Sequence, residues 1–322
     1  MATSQQYGFG SGIAYGIRTD IANQTPVRLG VMQDISVDFS SETKELYGQL
    51  QFPVDVARGK MKISGKAKFA LIEAAVYNTL FFAQTLTTGQ EQFVYNEAGT
   101  VPSMTPITGM TSAGTASGNG TLTFSSTPAG VLAGFSVADT TTAASIAAGT
   151  GVVSKTSTTV VISPVAAGAV GSGDTISFTP ALVAANAATF VQDLGVYYAN
   201  NGTPLTYVTS APTQGQYTVN SQGGYGFATA DVGAAVLINY IYNSSTSGNS
   251  IAGTNLLMGT TPTFQLVFNQ LYRGKQTVLT LYSCTSSKLN FATKIDDYMI
   301  PEFDFMAFAD PSGRVFNFNS AG

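Results

Sequence analysis

The chain has 322 residues, of which only 10% are charged, with 14 basic against 18 acidic side chains, a net charge of −4 and no histidine. Soluble domains carry roughly 25% charge, so this surface is one that neighbouring copies are expected to cover. The acidic balance argues against a dedicated nucleic-acid binder, the missing histidine removes Ser-His-Asp and Cys-His catalysis, and a single cysteine excludes an internal disulfide or a multi-thiolate metal site.

Along the chain, the opening "MATSQQYGFGSG" has none of the basic and apolar segments of a secretion signal, so export by that route is not expected. Its Gly8, Gly10 and Gly12 do not match a GxGxxG spacing and follow no strand, which predicts a mobile arm and no nucleotide site. From Val27 to Phe39 the text alternates, with Ile35, Val37 and Phe39 on one side and Asp34, Ser36 and Asp38 on the other, the period of a half-buried strand. The stretch "ARGKMKISGKAKFA" alternates again: Arg58, Lys60, Lys62, Ser64, Lys66 and Lys68 share one face, and Met61, Ile63, Ala67 and Phe69 the other. The two strands predict an extended hairpin with a long connecting loop over 40–57. In that loop Tyr47, Leu50, Phe52 and Val54 have no core of their own and are expected to meet a partner. "FALIEAAVYNTLFFA" then predicts the one long helix, with Ile72, Val76 and Leu80 at i+4 spacing, lying across a sheet face.

Between about 110 and 187 the charges shrink to Asp139, Lys155 and Asp174, and Gly, Ala, Ser and Thr dominate. The runs "GTLTFSS", "GFSVAD", "TTVVISP" and "DTISFTP" predict a small all-β insertion over 111–186, with Val160, Ile162, Ile176 and Phe178 facing its core. Strands resume after it: "TFVQDLGVYYA", "LTYVTS", "GQYTVN", "GYGFATA", "AAVLINYIYN", "TFQLVFNQLY", "QTVLTLYSC" and "EFDFMAFAD". Many short strands punctuated by Gly, Pro and Asn predict a mainly β sandwich or barrel. "VGAAVLINYIY" is too short and too polar for a membrane span, so no membrane insertion is expected. Cys284 reads as a buried structural thiol on a strand. Asp296, Asp297, Glu302 and Asp304 fit no EF-hand loop, and as a hydrolytic carboxylate pair they have no cleft. An exposed acidic strand edge is the expectation there, with no metal, no cofactor and no enzyme activity.

Three phrases together resemble the bacteriophage tail tube (major tail) proteins: "KELYGQLQFPVDVARGKMKISGKAKFA…NTLFF" (44–82), "DLGVYYANNGTPLTYV…GQYTVNSQGGYGFATADVGAAVLINYIY" (193–242) and "GTTPTFQLVFNQLYRGK…LTLYSCTSSKLNFATKIDDYMIPEFDFMAFADPSGRV" (259–315). The resemblance implies a tail-tube-type β-sandwich or barrel with one flanking α-helix and a long hairpin loop, its core split into 1–110 and 187–322 around an outward-facing insertion. It implies a virion protein, assembled in the host cytoplasm, whose copies close into hexameric rings stacked as a tube for DNA. The other partners it implies are tail terminator, baseplate or tip and tape-measure proteins. Ring contacts would come from residues 1–25, 40–57 and the C-terminal tail. The rival expectation is an outward-facing fibre or decoration protein binding host-surface glycans, which exposed aromatic clusters in the insertion would favour.

The basic stretch is expected to serve pairing. Asp34 and Asp38 alternate on the candidate partner strand, and opposite charges across strands contribute about 0.2–1 kcal/mol each. A lumen that releases DNA should not present a row of lysines, because each phosphate contact adds affinity and drag. Tube lumens in the resembling family tend to be electronegative, which points the same way. Arg58, Lys60, Lys62, Lys66 and Lys68 are therefore placed against neighbouring strands or subunits, or outside.

Overall fold

A computed structural model describes residues 6–293 and 295–320. It is mainly β and divides into two compact units, one formed by 1–87 with 249–322 and the other by the continuous stretch 88–248.

The first unit is built on one eight-stranded sheet. Its early strands are β1 (Ile13–Arg18), β2 (Val27–Arg28), β3 (Met32–Tyr47) and β4 (Pro53–Phe69). The strands β5 (Leu86–Thr100) to β17 (Ala235–Ile251) belong chiefly to the second unit. The first resumes with β18 (Phe264–Tyr272), β19 (Lys275–Asn290), β20 (Glu302–Phe308) and β21 (Phe316–Ser320). The order is β2-β1-β18-β19-β20-β4-β3, with β21 pairing the earlier half of β19 while β20 takes the later half. Phe69, Phe264, Leu281, Cys284, Phe303 and Phe305 meet in the core at 1% exposure or less. Gly65 makes room for this: a Cβ there would lie 2.4 Å from the ring of Phe305 and 2.5 Å from the carbonyl of Ser36.

Four expectations change here. The connection over 40–57 is mostly strand, since β3 runs on to Tyr47 and β4 begins at Pro53. The helix is short: α1 covers Ala74–Tyr77 and continues as a π-helical turn over Asn78–Phe82. Val76 and Leu80 are buried, but Ile72 lies outside the helix and is exposed. The turn stops at Ala83, whose φ is +50°, and Asn78 closes it by donating to the Gln84 carbonyl at 2.7 Å and accepting its N–H at 2.8 Å. The strand with Glu302 and Asp304 is no edge, because β20 lies between β19 and β4. Finally, residues 6–12 lie against the sheet. Gln6 donates to Thr277, Ser11 to the Met32 carbonyl, and Gln270 to the Gly10 carbonyl, at 2.5–2.7 Å. The remainder of that expected arm, 1–5, lies outside the described residues, as do 294 and 321–322.

In the second unit, β6 (Ile107–Ala113), β7 (Thr121–Phe124), β8 (Ser136–Asp139), β9 (Gly151–Lys155), β10 (Thr159–Ser163) and β11 (Thr175–Thr179) close into a barrel in the order β10-β7-β6-β11-β8-β9. Val160, Ile162, Ile176 and Phe178 point into its core, each at 2% exposure or less, beside Leu122 and Phe124. The remaining strands are β12 (Leu182–Val183), β13 (Phe190–Tyr198), β14 (Thr206–Tyr207), β15 (Gln216–Val219) and β16 (Gly224–Phe227). They form the sheets β12-β16-β15-β14 and β13-β17-β5 around a tyrosine-rich core. Asp193 organises it, accepting from the hydroxyls of Tyr217 at 2.5 Å and Tyr225 at 3.0 Å. Tyr240 donates to Glu97 at 2.6 Å, and Tyr198 to the buried Asp231 at 2.6 Å.

The domain map therefore shifts. The barrel spans 107–179, not 111–186, and it groups with 88–106 and 180–248. Asn220 joins it to its neighbours by donating to the Gly134 carbonyl at 2.7 Å.

Candidate assembly surface

Among the described residues, strand β3 is an edge of its sheet, paired with β4 alone. On its other side β4 pairs with β20, but only from Ile63 to Lys68. Beyond Lys62 and Ser40 the hairpin is thus two strands wide, and its residues 40–52 and 54–62 are all exposed. A two-stranded ribbon is marginal in water on its own. This one carries Leu50, Phe52 and Val54 at 80%, 81% and 71% exposure and Tyr47 at 58%. Leu46, Val56 and Met61 add to it. Fully covering one such side chain is worth about 1.5–3 kcal/mol. The Tyr47 hydroxyl donates to Glu45, and that bond holds its proton more tightly than usual.

The basic residues divide into two groups. Lys68 lies between Asp34 on β3 and Glu302 on β20, with its ammonium 3.4 Å from Glu302. Lys66 stands across from Asp304, 3.9 Å away, and from Ser36. These pairs are partly exposed, so each holds register more than it adds stability. Asp38 is opposite Ser64 and so has no lysine directly across from it. Lys62 faces Ser40 and Arg58 faces Thr43. Among the described residues, Arg58, Lys60 and Lys62 make no ion pair.

The expected unbroken basic face is interrupted. The register slips between Ser41↔Met61 and Thr43↔Arg58, which places an extra residue on β4 around Gly59 and Lys60. Such a bulge bends a ribbon and re-aims its side chains.

The structure adds apolar residues that periodicity did not single out. Leu257 and Met258, between β17 and β18, and Ile295 and Tyr298, between β19 and β20, are at least 87% exposed. They sit in irregular segments, where alternation gives no signal; their size alone could have flagged them. A groove of about 560 Å³ lies along β3, lined by Ile35, Val37, Phe39, Phe268, Leu279 and Phe318 together with the polar Ser11, Gln33, Asp34 and Gln270.

Chemistry is sparse. No cluster of three His, Cys, Asp or Glu among the described residues could hold a metal ion. No described helix is long and apolar enough to cross a membrane. Cys284 is fully buried, and burial pushes its thiol up to about 12, which leaves it inert as a nucleophile. Comparison with protein-family models gives no match, and comparison with curated proteins likewise gives none.

Proposed function

We propose that the chain is a structural subunit that assembles with copies of itself into stacked rings, forming the tube of a bacteriophage tail through which DNA passes. The observation that carries this reading is the two-stranded arm. Its apolar side chains are uncovered while it continues directly from an edge strand. An uncovered apolar ribbon beside unpaired backbone groups is a template for another chain. The groove along β3 offers a surface of matching chemistry on a second copy. Charge bears on the same reading only in part: Lys66 and Lys68 face carboxylates of their own sheet, whereas Arg58, Lys60 and Lys62 on the arm are unpaired among the described residues.

The test combines negative-stain imaging with sedimentation. The native chain is expected to form rings or tubes without metal or ligand. Tyr47→Ser with Phe52→Ser should keep the circular dichroism spectrum and shorten or abolish the tubes. A strictly monomeric native chain at high concentration in several buffers overturns the proposal. Unchanged tube lengths in the double variant would remove the arm from the contact.

A further inference from the structure

The sheet β13-β17-β5 carries a groove that the assembly reading does not use. At its centre Asn239 of β17 is 3% exposed. Its Oδ1 accepts the N–H of Asn96 on β5 at 2.8 Å, and its Nδ2 donates to the carbonyl of Gly195 on β13 at 3.1 Å. Both partners are irregular: Asn96 has φ +57°, Gly195 has φ +107°, and the β13–β17 register slips between Asp193 and Gly195. One buried amide thus ties distorted backbone on both flanking strands, and irregularities at one level bend a sheet.

The result is a groove of about 600 Å³ with Phe93, Tyr95, Leu194 and Tyr197 along its sides and Leu237 and Asn239 at the central strand. Phe93 and Tyr95 are 59% and 71% exposed, and their rings lie 22° from parallel with centroids 6.1 Å apart. No lining side chain is charged. The hydroxyls of Tyr95 and Tyr197 and the side-chain amide of Asn96 make no hydrogen bond among the described residues.

We infer that this groove binds a neutral carbohydrate, with a pyranose ring packed against the exposed aromatic pair of Phe93 and Tyr95. A pyranose presents a patch of C–H groups on its face and hydroxyls around its rim. Exposed aromatic rings cover the first, and free phenol and amide groups bond the second. A nucleotide strand would also stack, but its phosphates need basic side chains and the groove has none. The glycan expectation attached to the barrel is not supported there, because Phe124, Phe135 and Phe178 are all buried. The aromatic cluster belongs to a different sheet. This inference does not rest on the tube reading.

The experiment titrates the full chain with cellotetraose, maltotetraose and chitotetraose, followed by calorimetry and saturation-transfer NMR. At least one sugar is expected to bind. Tyr95→Ala and Tyr197→Ala should each weaken it by about tenfold or more, a loss that truncating a central aromatic contact commonly produces. Tyr207→Ala, at an exposed tyrosine outside the groove, should leave binding unchanged. Tyr95→Phe keeps the ring and should retain most of the affinity, which covers the case in which the alanine variant misfolds. Absence of binding by all three sugars at about 10 mM, beyond the weakest useful affinity, overturns the inference. So does binding that survives Tyr95→Ala, or a Tyr95→Ala variant that loses self-association while no sugar binds, since a second copy would then be the occupant.

Discussion

The barrel over 107–179 and the arm over 40–62 solve the same problem in opposite ways. Both are β structure, and both must satisfy backbone edges and cover apolar side chains. The barrel does so internally: six strands close on one another, thirteen buried residues fill the centre, and no edge is left. The arm does neither. Its outer strand has no second partner, and its largest side chains face solvent. The barrel carries few charges, whereas the arm carries Lys44, Arg58, Lys60 and Lys62. The difference separates structure that covers its own edges and apolar side chains from structure that leaves them exposed.

The contrast is sharpest in the cost of losing one phenylalanine. Phe178→Ala removes a ring at 0% exposure from the barrel core and should cost about 3–5 kcal/mol in denaturant unfolding. Phe52→Ala, at 81% exposure, should cost less than about 0.5 kcal/mol under dilute, unassembled conditions. A large loss at Phe52 would mean that the arm packs on its own chain, and the contrast would collapse.

A polar version follows in the second unit. Asp193→Asn keeps the shape but weakens the acceptor shared by Tyr217 and Tyr225, and should cost about 1–3 kcal/mol by the same assay.

Alkaline pH should then weaken both cores. Burial first, and the Asp193 carboxylate next, push the Tyr217 and Tyr225 hydroxyls well above the usual phenol range, and burial lifts Cys284 to about 12. The unfolded chain releases these protons near their ordinary values, about 8.5 for a thiol and 10 for a phenol, while the native chain keeps them. The native state therefore binds more protons, and stability falls as pH rises through that range. Melting temperatures measured from pH 8 upward should decline steadily; a flat profile would contradict the burial of these groups.

The smallest effect concerns register. Lys68→Ala breaks the cross-strand contacts with Asp34 and Glu302 and should cost only about 0.2–1 kcal/mol, less at high salt. A greater loss would mean that this end of the hairpin is less open to solvent than the arm beyond it.

Much of this was legible from alternation. The eight strand phrases after 187 all fall on strands, as do the four in the barrel, most of them because one apolar face meets a core, although β14 is exposed on both residues and β16 is buried on all four. What was missed lacked that contrast. β5 alternates Gln90, Gln92 and Val94 with Glu91, Phe93 and Tyr95, so neither face reads as buried, and its exposed aromatics form the groove instead. β1 turns Ala14 and Gly16 inward, too small to register as core, although a Cβ at Gly16 would meet Leu80 at 3.3 Å. The helix expected from Ile72, Val76 and Leu80 at i+4 spacing is shorter because Phe69 ends β4, where it pairs with Met32, and Ile72 lies exposed before the first helical turn. The arm's hydrophobes were legible for the opposite reason, since they stand where no core could reach them.

The order of the strands in the first sheet has a consequence for synthesis. β1 pairs with β18, so Ile13 must wait for Asn269, whereas all of the second unit lies between them. The second unit, continuous in sequence, can complete its folding while the sheet of the first still lacks its central strands. Contacts this distant in sequence close slowly. Meanwhile the local β3–β4 hairpin is the part of that sheet able to form early, with its apolar tip and an open edge on the nascent chain. The exposed charges beside that tip, Glu42, Glu45, Arg58, Lys60 and Lys62, would have to lose water before another chain could cover it, which disfavours contact until the sheet behind the hairpin is finished.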